Sequence, residues 1–72
     1  MENETAARQR VLGLLAETLQ AAGLPGVAFT LRESRSRPDA VEIYQGGRLY
    51  RVACIDCDSL PAMVRDVLDQ VI

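Results

Sequence analysis

The chain opens with apolar residues that recur every three or four positions, the spacing of one face of an α-helix. The apolar positions are Ala7, Val11, Leu14, Leu15, Leu19 and Ala22. The polar positions Arg8, Arg10, Glu17 and Gln20 fall largely on the opposite side. Gly23, Leu24 and Pro25 are typical of a helix C-terminus at which a glycine in the left-handed conformation ends the helix. The pattern predicts an amphipathic helix over residues 4–22, with its Arg8 side facing solvent.

Alternation of apolar residues with polar or small ones follows this helix and indicates strands. Val27, Phe29 and Leu31 mark the first strand. Residues 34–39 (SRSRPD) have the composition of a loop. Two further strand-like runs, 41–45 and 48–55, are separated by Gly-Gly, the spacing of a two-residue hairpin turn. We therefore predict three strands, the last two joined as a hairpin.

The Gly-Gly turn also predicts the register of the hairpin. In that register Tyr44 lies opposite Leu49 and Glu42 lies opposite Arg51 as a cross-strand ion pair. Directly opposed residues share a face of the sheet. The predicted core face holds Val41, Ile43, Tyr50, Val52 and Cys54. The predicted open face holds Ala40, Glu42, Tyr44, Leu49, Arg51, Ala53 and Ile55.

A second apolar stripe at helical spacing follows the hairpin. It consists of Leu60, Met63, Val64, Val67, Leu68, Val71 and Ile72. Ser59 is suited to cap this helix, and Pro61 is tolerated in its first turn. The element order is then α-β-β-β-α. It predicts an α+β fold in which a three-stranded antiparallel meander carries both helices on one face, as a single domain over residues 1–72.

Composition and charge exclude several classes of protein. The chain is 49% hydrophobic and 25% charged, which is typical of a folded globular domain. Its formal net charge of −2 argues against nucleic-acid binding through the overall field, which requires a cationic surface. No apolar run approaches the roughly 18–20 residues that span a bilayer, and the N-terminus lacks the basic start of a secretory signal. We expect a cytoplasmic protein with no membrane partner.

Catalytic and metal-binding chemistry lacks its usual residues. The sequence contains no histidine, so no Ser-His or Cys-His pair forms within one chain. No glycine-rich phosphate-binding motif is present. We predict a protein that is not an enzyme and that carries no cofactor and no metal.

One pair of cysteines has a spacing that occurs in redox and zinc-binding proteins. Cys54 and Cys57 form a CxxC sequence, which suits a redox pair or half of a zinc site. In the predicted register Cys54 points into the core and Cys57 follows the strand. The favoured interpretation is two unconnected thiols. Thiol redox chemistry and a metal shared between two chains are the alternatives.

The segment after the first strand is locally basic, with Arg32, Arg35 and Arg37. With this segment, the α-β-β-β-α order resembles the double-stranded-RNA-binding domain in topology. The resemblance implies contacts to RNA phosphates. That family uses lysines at the start of its second helix, where residues 56–59 of this chain are DCDS. Nucleic-acid binding through the three arginines is the alternative function. The same order is also similar to small toxins of the HicA type, which depend on a histidine, and to phage head–tail joining proteins.

The leading hypothesis is a non-enzymatic protein-interaction module that acts on the open sheet face. The candidate partner-binding residues are Glu42, Tyr44, Leu49, Arg51 and Ile55. Such a protein would be an accessory, adaptor or inhibitor protein of a bacterium, phage or mobile element. It would act by binding a partner protein or by homodimerising. The competing interpretation is a scatter of apolar surface residues, which any protein carries.

Overall fold

The computed structural model of the chain, which describes residues 3–72, has the predicted order of helices and strands. The elements are α1 (Glu4–Ala21), β1 (Val27–Ser34), β2 (Arg37–Gln45), β3 (Arg48–Cys54) and α2 (Leu60–Val71). The strands form one antiparallel sheet in the order β1-β2-β3. Helix α1 packs on β1, α2 packs on β3, and the two helices touch each other. The predicted α+β meander is therefore confirmed.

Local chemistry ends α1 where the sequence predicts. Gly23 has φ +115°, a backbone conformation that glycine adopts without steric cost. The Leu24 N–H donates to the Leu19 carbonyl at 2.9 Å, and the Gly23 N–H donates to the Gln20 carbonyl at 3.3 Å. These two bonds satisfy carbonyls that the helix end leaves open, the pattern of a Schellman motif. The predicted stop is confirmed.

The hairpin turn between β2 and β3 also forms as predicted. Gly46 and Gly47 have φ values of +60° and +82°, the double positive φ that a type I′ turn requires. Gln45 pairs with Arg48, and Tyr44 pairs with Leu49. The first two pairs of the predicted register are therefore correct.

Beyond these pairs the register of β3 shifts by one residue at a β-bulge. Ile43 lies opposite Arg51, and Val41 lies opposite Ala53, so Tyr50 is the extra residue. A bulge of this kind places two residues opposite one. Because side chains alternate between faces, every later residue of β3 moves to the face opposite from the predicted one.

The predicted core face of β3 is accordingly wrong. Tyr50, Val52 and Cys54 are exposed, whereas Ala53 and Ile55 are 2% and 0% exposed. The Ile55 N–H continues the ladder beyond β3 by donating to the Asp39 carbonyl at 2.9 Å. The buried apolar residues are Leu12, Leu19, Val27, Ala40, Val41, Ile43, Ala53, Ile55, Met63 and Val67. The bulge thus places the large Ile55 side chain in the core.

The connection between β1 and β2 is shorter than the predicted loop over residues 34–39. β1 runs to Ser34 and β2 starts at Arg37, where these two residues pair. The register shifts between Arg32 and Ser34, so that Pro38 and Asp39 stand opposite the single residue 33. Proline has no N–H to donate to a ladder and occurs inside sheets mainly at bulges and edges. The irregularity explains how Pro38 enters a central strand.

Helix α1 turns a different face to the core than the apolar pattern indicates. Leu12 and Leu19 are buried, but Leu14 is 55% exposed, and Arg8 is only 3% exposed. The prediction that Arg8 faces solvent is wrong. A charged side chain is buried this far only when it is paired and hydrogen-bonded. The partners of Arg8 supply the physical reason.

Three carboxylates surround the Arg8 guanidinium. Its Nη1 lies 2.8 Å from Asp39 Oδ2 and 2.9 Å from Glu33 Oε2, and its Nη2 lies 3.2 Å from Glu4 Oε1. The hydrogen bond to Asp39 is the main cause that raises the pKa of Arg8, while burial opposes it. Glu33 also accepts a hydrogen bond from the Thr5 hydroxyl at 2.7 Å. This Arg8 cluster ties α1 to the β1–β2 end of the sheet.

Helix α2 starts at the predicted cap. The Ser59 hydroxyl accepts the Ala62 N–H at 3.3 Å, and proline occupies the first turn. Met63 and Val67 of the predicted stripe are buried, whereas Ile72 is 88% exposed. Among residues 3–72 neither helix is both long and apolar enough to cross a bilayer.

A pair of carboxyl groups lies at α2, with Asp58 just before the helix and Asp66 within it. Asp58 Oδ2 is buried and meets no hydrogen-bond donor among residues 3–72. When protonated, Asp58 donates to the Asp66 carboxylate, which raises the pKa of Asp58 and lowers that of Asp66; partial burial also raises the Asp58 pKa. Arg65, bonded to Asp66 at 3.3 Å, helps to keep Asp66 charged.

We expect Asp58→Asn to raise the melting temperature at pH 7 but not at pH 3. A carboxyl whose folded pKa is raised stabilises the fold below its ordinary pKa of 3.8, and this contribution is lost as the pH rises through the raised value. Asparagine removes the charge and keeps an N–H donor for Asp66. Thermal denaturation at both pH values tests this expectation. The control is Glu17→Gln, which changes an exposed carboxylate of α1. An equal change at both pH values would contradict the carboxyl pair.

Candidate interaction surface

Strand β3 lies at one edge of the sheet and carries exposed apolar side chains. In residues 3–72 it pairs only with β2, so its other side presents N–H and C=O groups that no strand covers. Leu49, Tyr50 and Val52 are 53%, 50% and 40% exposed. We call these three residues the β3 apolar strip. An exposed apolar edge strand is a template for pairing with another chain.

The open face of the sheet extends this strip towards β2. Tyr44 lies opposite Leu49, and Glu42 lies opposite Val52; both β2 residues are half-buried. Glu42 Oε2 is 4.0 Å from Arg32 Nη1 on β1. The face away from the helices therefore has an apolar region at β3. This region is bordered by the ion pair between Arg32 and Glu42, both of which belong to the sheet.

The bulge separates the predicted partner-binding residues. Tyr44 and Leu49 stay together on the open face, but Ile55 lies in the core, so its predicted place on this surface is wrong. The predicted ion pair between Glu42 and Arg51 is also wrong, because Arg51 lies opposite Ile43. The Arg51 guanidinium instead lies 5.1 Å from the centroid of the Tyr50 ring, within reach of a cation–π interaction.

Sequence reasoning missed Tyr50 and Val52 as surface residues. The signal that could have found them is the size of Ile55, which follows β3 and precedes α2. A large aliphatic residue at that place favours the face shared by residues 53 and 55 as the core face, and this choice requires a bulge after the turn.

The two ends of the β3 edge differ in charge. Exposed Arg48 begins the strand, and exposed Arg51 lies at its middle. At its far end Cys54 borders a shallow groove of about 290 Å³ that is also lined by Asp66 and Asp69 of α2. Asp66 is bonded to Arg65, whereas exposed Asp69 and Arg48 form no ion pair within the described part of the chain. The edge thus runs from a basic end to an acidic end over about 20 Å.

Both cysteines lie at the surface as free thiols. The prediction that Cys54 is a core thiol is wrong, because the bulge turns it outward. Cys57 has φ +65°, and its Sγ lies 3.8 Å from Asp56 Oδ2, a weak contact. Among residues 3–72 no group of three metal-ligating side chains comes together. The redox and shared-metal alternatives stay predictions that concern Cys54 and Cys57.

The basic segment of the nucleic-acid alternative is divided between two environments. Arg32 is half-buried beside Glu42, whereas Arg35 and Arg37 are exposed at the β1–β2 turn. Arg35 and Arg37 lie at the opposite end of β2 from Arg48. Nucleic-acid binding therefore rests on two exposed arginines and stays a prediction.

A second groove, of about 420 Å³, lies between α1 and β1. Its lining is Gln9, Leu12, Gly13, Ala16, Gln20, Ala28, Phe29, Thr30 and Leu31. These residues carry no charge, so the groove offers apolar contact without an electrostatic preference for any partner.

Comparison with protein-family models, with curated proteins and with solved structures finds no match to the chain.

Proposed function

We propose that this protein is a non-enzymatic interaction module that binds another protein chain through its β3 edge. The observation that carries the proposal is the β3 apolar strip on a strand with an uncovered backbone edge. An extended segment that adds to such an edge gains main-chain hydrogen bonds, and side chains on alternate positions add specificity. Burial of the strip would supply the apolar part of the binding free energy.

Two features favour this interpretation over a scatter of surface apolar residues. Leu49, Tyr50 and Val52 adjoin one another on one strand, and Tyr44 extends the patch on β2. Tyrosine and arginine, here Tyr50 with Arg51 across its ring, are enriched among the residues that dominate interface energies. A cytoplasmic site of action belongs to the proposal, because reducing conditions keep thiols such as Cys54 free.

The proposal is tested by site-specific photo-crosslinking in the native host. A benzophenone amino acid replaces Tyr50 in one variant and Leu14 in the control, since Leu14 on α1 is a large apolar residue with 55% exposure. We expect a discrete protein adduct from position 50 and none from position 14. The adduct is identified by mass spectrometry and reconstituted from purified chains. Val52→Lys should abolish it without changing the melting temperature measured at a concentration where the chain is monomeric. Equal labelling at both positions would contradict the proposal.

A further inference from the structure

We propose that the chain bound by the β3 edge is a second copy of this protein. The two β3 strands would pair antiparallel about a twofold axis perpendicular to the sheet and form one six-stranded sheet. This inference rests on the proposed function, because it names the partner of the same surface. The β3 apolar strip and the charges at the two ends of the edge carry it.

Twofold symmetry restricts which surface can form the interface. In a twofold dimer the same patch contacts itself, so the patch must be complementary to its own rotated copy. Antiparallel pairing centred between Tyr50 and Arg51 places each Arg51 opposite the Tyr50 of the other copy rather than opposite the other Arg51. It also brings the Arg48 end of one strand beside the Cys54 end of the other. The β3 edge, basic at one end and acidic at the other, has the charge distribution that this operation requires.

Charge complementarity favours the antiparallel direction of pairing. The free Arg48 of each copy would approach the free Asp69 beside Cys54 of the other copy, so that the interface contains this contact twice. Parallel pairing in register would instead place Arg48 beside Arg48, and like charges that face each other destabilise paired strands. Complementary charges fix the direction and register of an interface more than its affinity.

The β3 apolar strip is also complementary to a second copy of itself. Antiparallel pairing brings Leu49 of each copy next to Val52 of the other on the open face, so that these residues form an apolar band across the joined edges. Pairing also supplies partners for the uncovered backbone groups of both edges at once. The groove between α1 and β1 lacks charged lining residues and has no comparable self-complementarity.

Sedimentation velocity on the purified chain tests the inference. Between about 1 µM and 1 mM, the fitted mass should rise from 7.9 kDa towards twice that value, and the dimer should weaken in high salt. Arg48→Glu alone and Asp69→Arg alone should each weaken the dimer by about tenfold or more. Both residues are exposed, so each variant should keep the wild-type melting temperature at a concentration where the chain is monomeric.

The decisive measurement mixes the two variants. Arg48→Glu opposes Asp69 within its own homodimer, and Asp69→Arg opposes Arg48, but in the mixed dimer each contact again joins opposite charges. An equimolar mixture should therefore regain the wild-type dimer affinity. Glu17→Arg on α1 keeps both contact residues and dimerises with itself. Its mixed dimer with either variant restores only one of the two contacts, so it should bind that variant more weakly than the two variants bind each other. Restored affinity in the mixture cannot arise from a general change in charge.

Two results would overturn the inference. A chain that stays at 7.9 kDa up to about 1 mM does not self-associate through this edge, and a dimer that neither charge reversal affects uses another arrangement. Photo-crosslinking at position 50 separates these failures from failure of the proposed function. If position 50 crosslinks to a different protein and the purified chain is monomeric, the proposed interaction module is supported and only the proposal of a second copy as its partner is contradicted.

Discussion

Replacement of Arg8 by methionine is expected to lower the free energy of unfolding by about 3 kcal/mol. The change removes the guanidinium that pairs with Glu4, Glu33 and Asp39 and leaves these three carboxylates without it. Breaking a buried ion pair on one side costs about 3–5 kcal/mol. The lower end applies because the Glu33 and Asp39 side chains keep 29% and 28% exposure. Urea denaturation followed by circular dichroism gives the value.

The control is Arg65→Met on α2, which removes a more exposed ion pair with Asp66 and should cost less than about 1 kcal/mol. A triple variant that combines Arg8→Met with Glu33→Gln and Asp39→Asn should recover part of the loss, because the only carboxylate of the cluster left charged is then Glu4, whose side chain is 74% exposed. If the free energy of unfolding of Arg8→Met lies within about 0.5 kcal/mol of the wild-type value, the cluster does not hold α1 to the sheet.

The parts of the fold that sequence reasoning predicted correctly depend on local chemistry. Gly23 ends α1 and Gly46-Gly47 forms the hairpin turn, because these residues reach backbone conformations that side chains disfavour. Ser59 caps α2 through an N–H only three residues away. Signals of this kind act within one turn of helix or strand, so the sequence around each residue is sufficient to show them.

The register of β3 was not predictable in the same way. Residues 49–55 (LYRVACI) are apolar at both odd and even positions, so an alternation of period two does not choose the core face. The turn determined the first two pairs, and extrapolation from them assumed a regular ladder. Packing decided the rest, since the bulge after Leu49 buries Ile55 completely.

The Arg8 cluster lies beyond local reasoning for a different reason. Glu33 and Asp39 are 25 and 31 residues away from Arg8, and helical periodicity assigns any arginine to the outer side. Only the tertiary contact between α1 and the β1–β2 end of the sheet supplies the carboxylates that make burial possible. The candidate surface divides in the same way. The local turn predicts the positions of Tyr44 and Leu49, whereas the position of Val52, beyond the bulge, depends on tertiary packing.

A pair of alanine substitutions separates the bulged register from the regular one. Ile55→Ala is expected to lower the free energy of unfolding by about 2–5 kcal/mol, because it opens a cavity in a core where the side chain is fully buried. Val52→Ala, on the open face, is expected to cost less than about 1 kcal/mol when measured at a concentration where the chain is monomeric. A regular ladder would bury Val52 and expose Ile55, so it predicts the opposite order.

Urea denaturation of both variants gives the order, and nuclear Overhauser contacts between Val41 and Ala53 locate the register directly. A larger loss for Val52→Ala, with contacts from Val41 to Val52, would rule out the bulge and with it the β3 apolar strip.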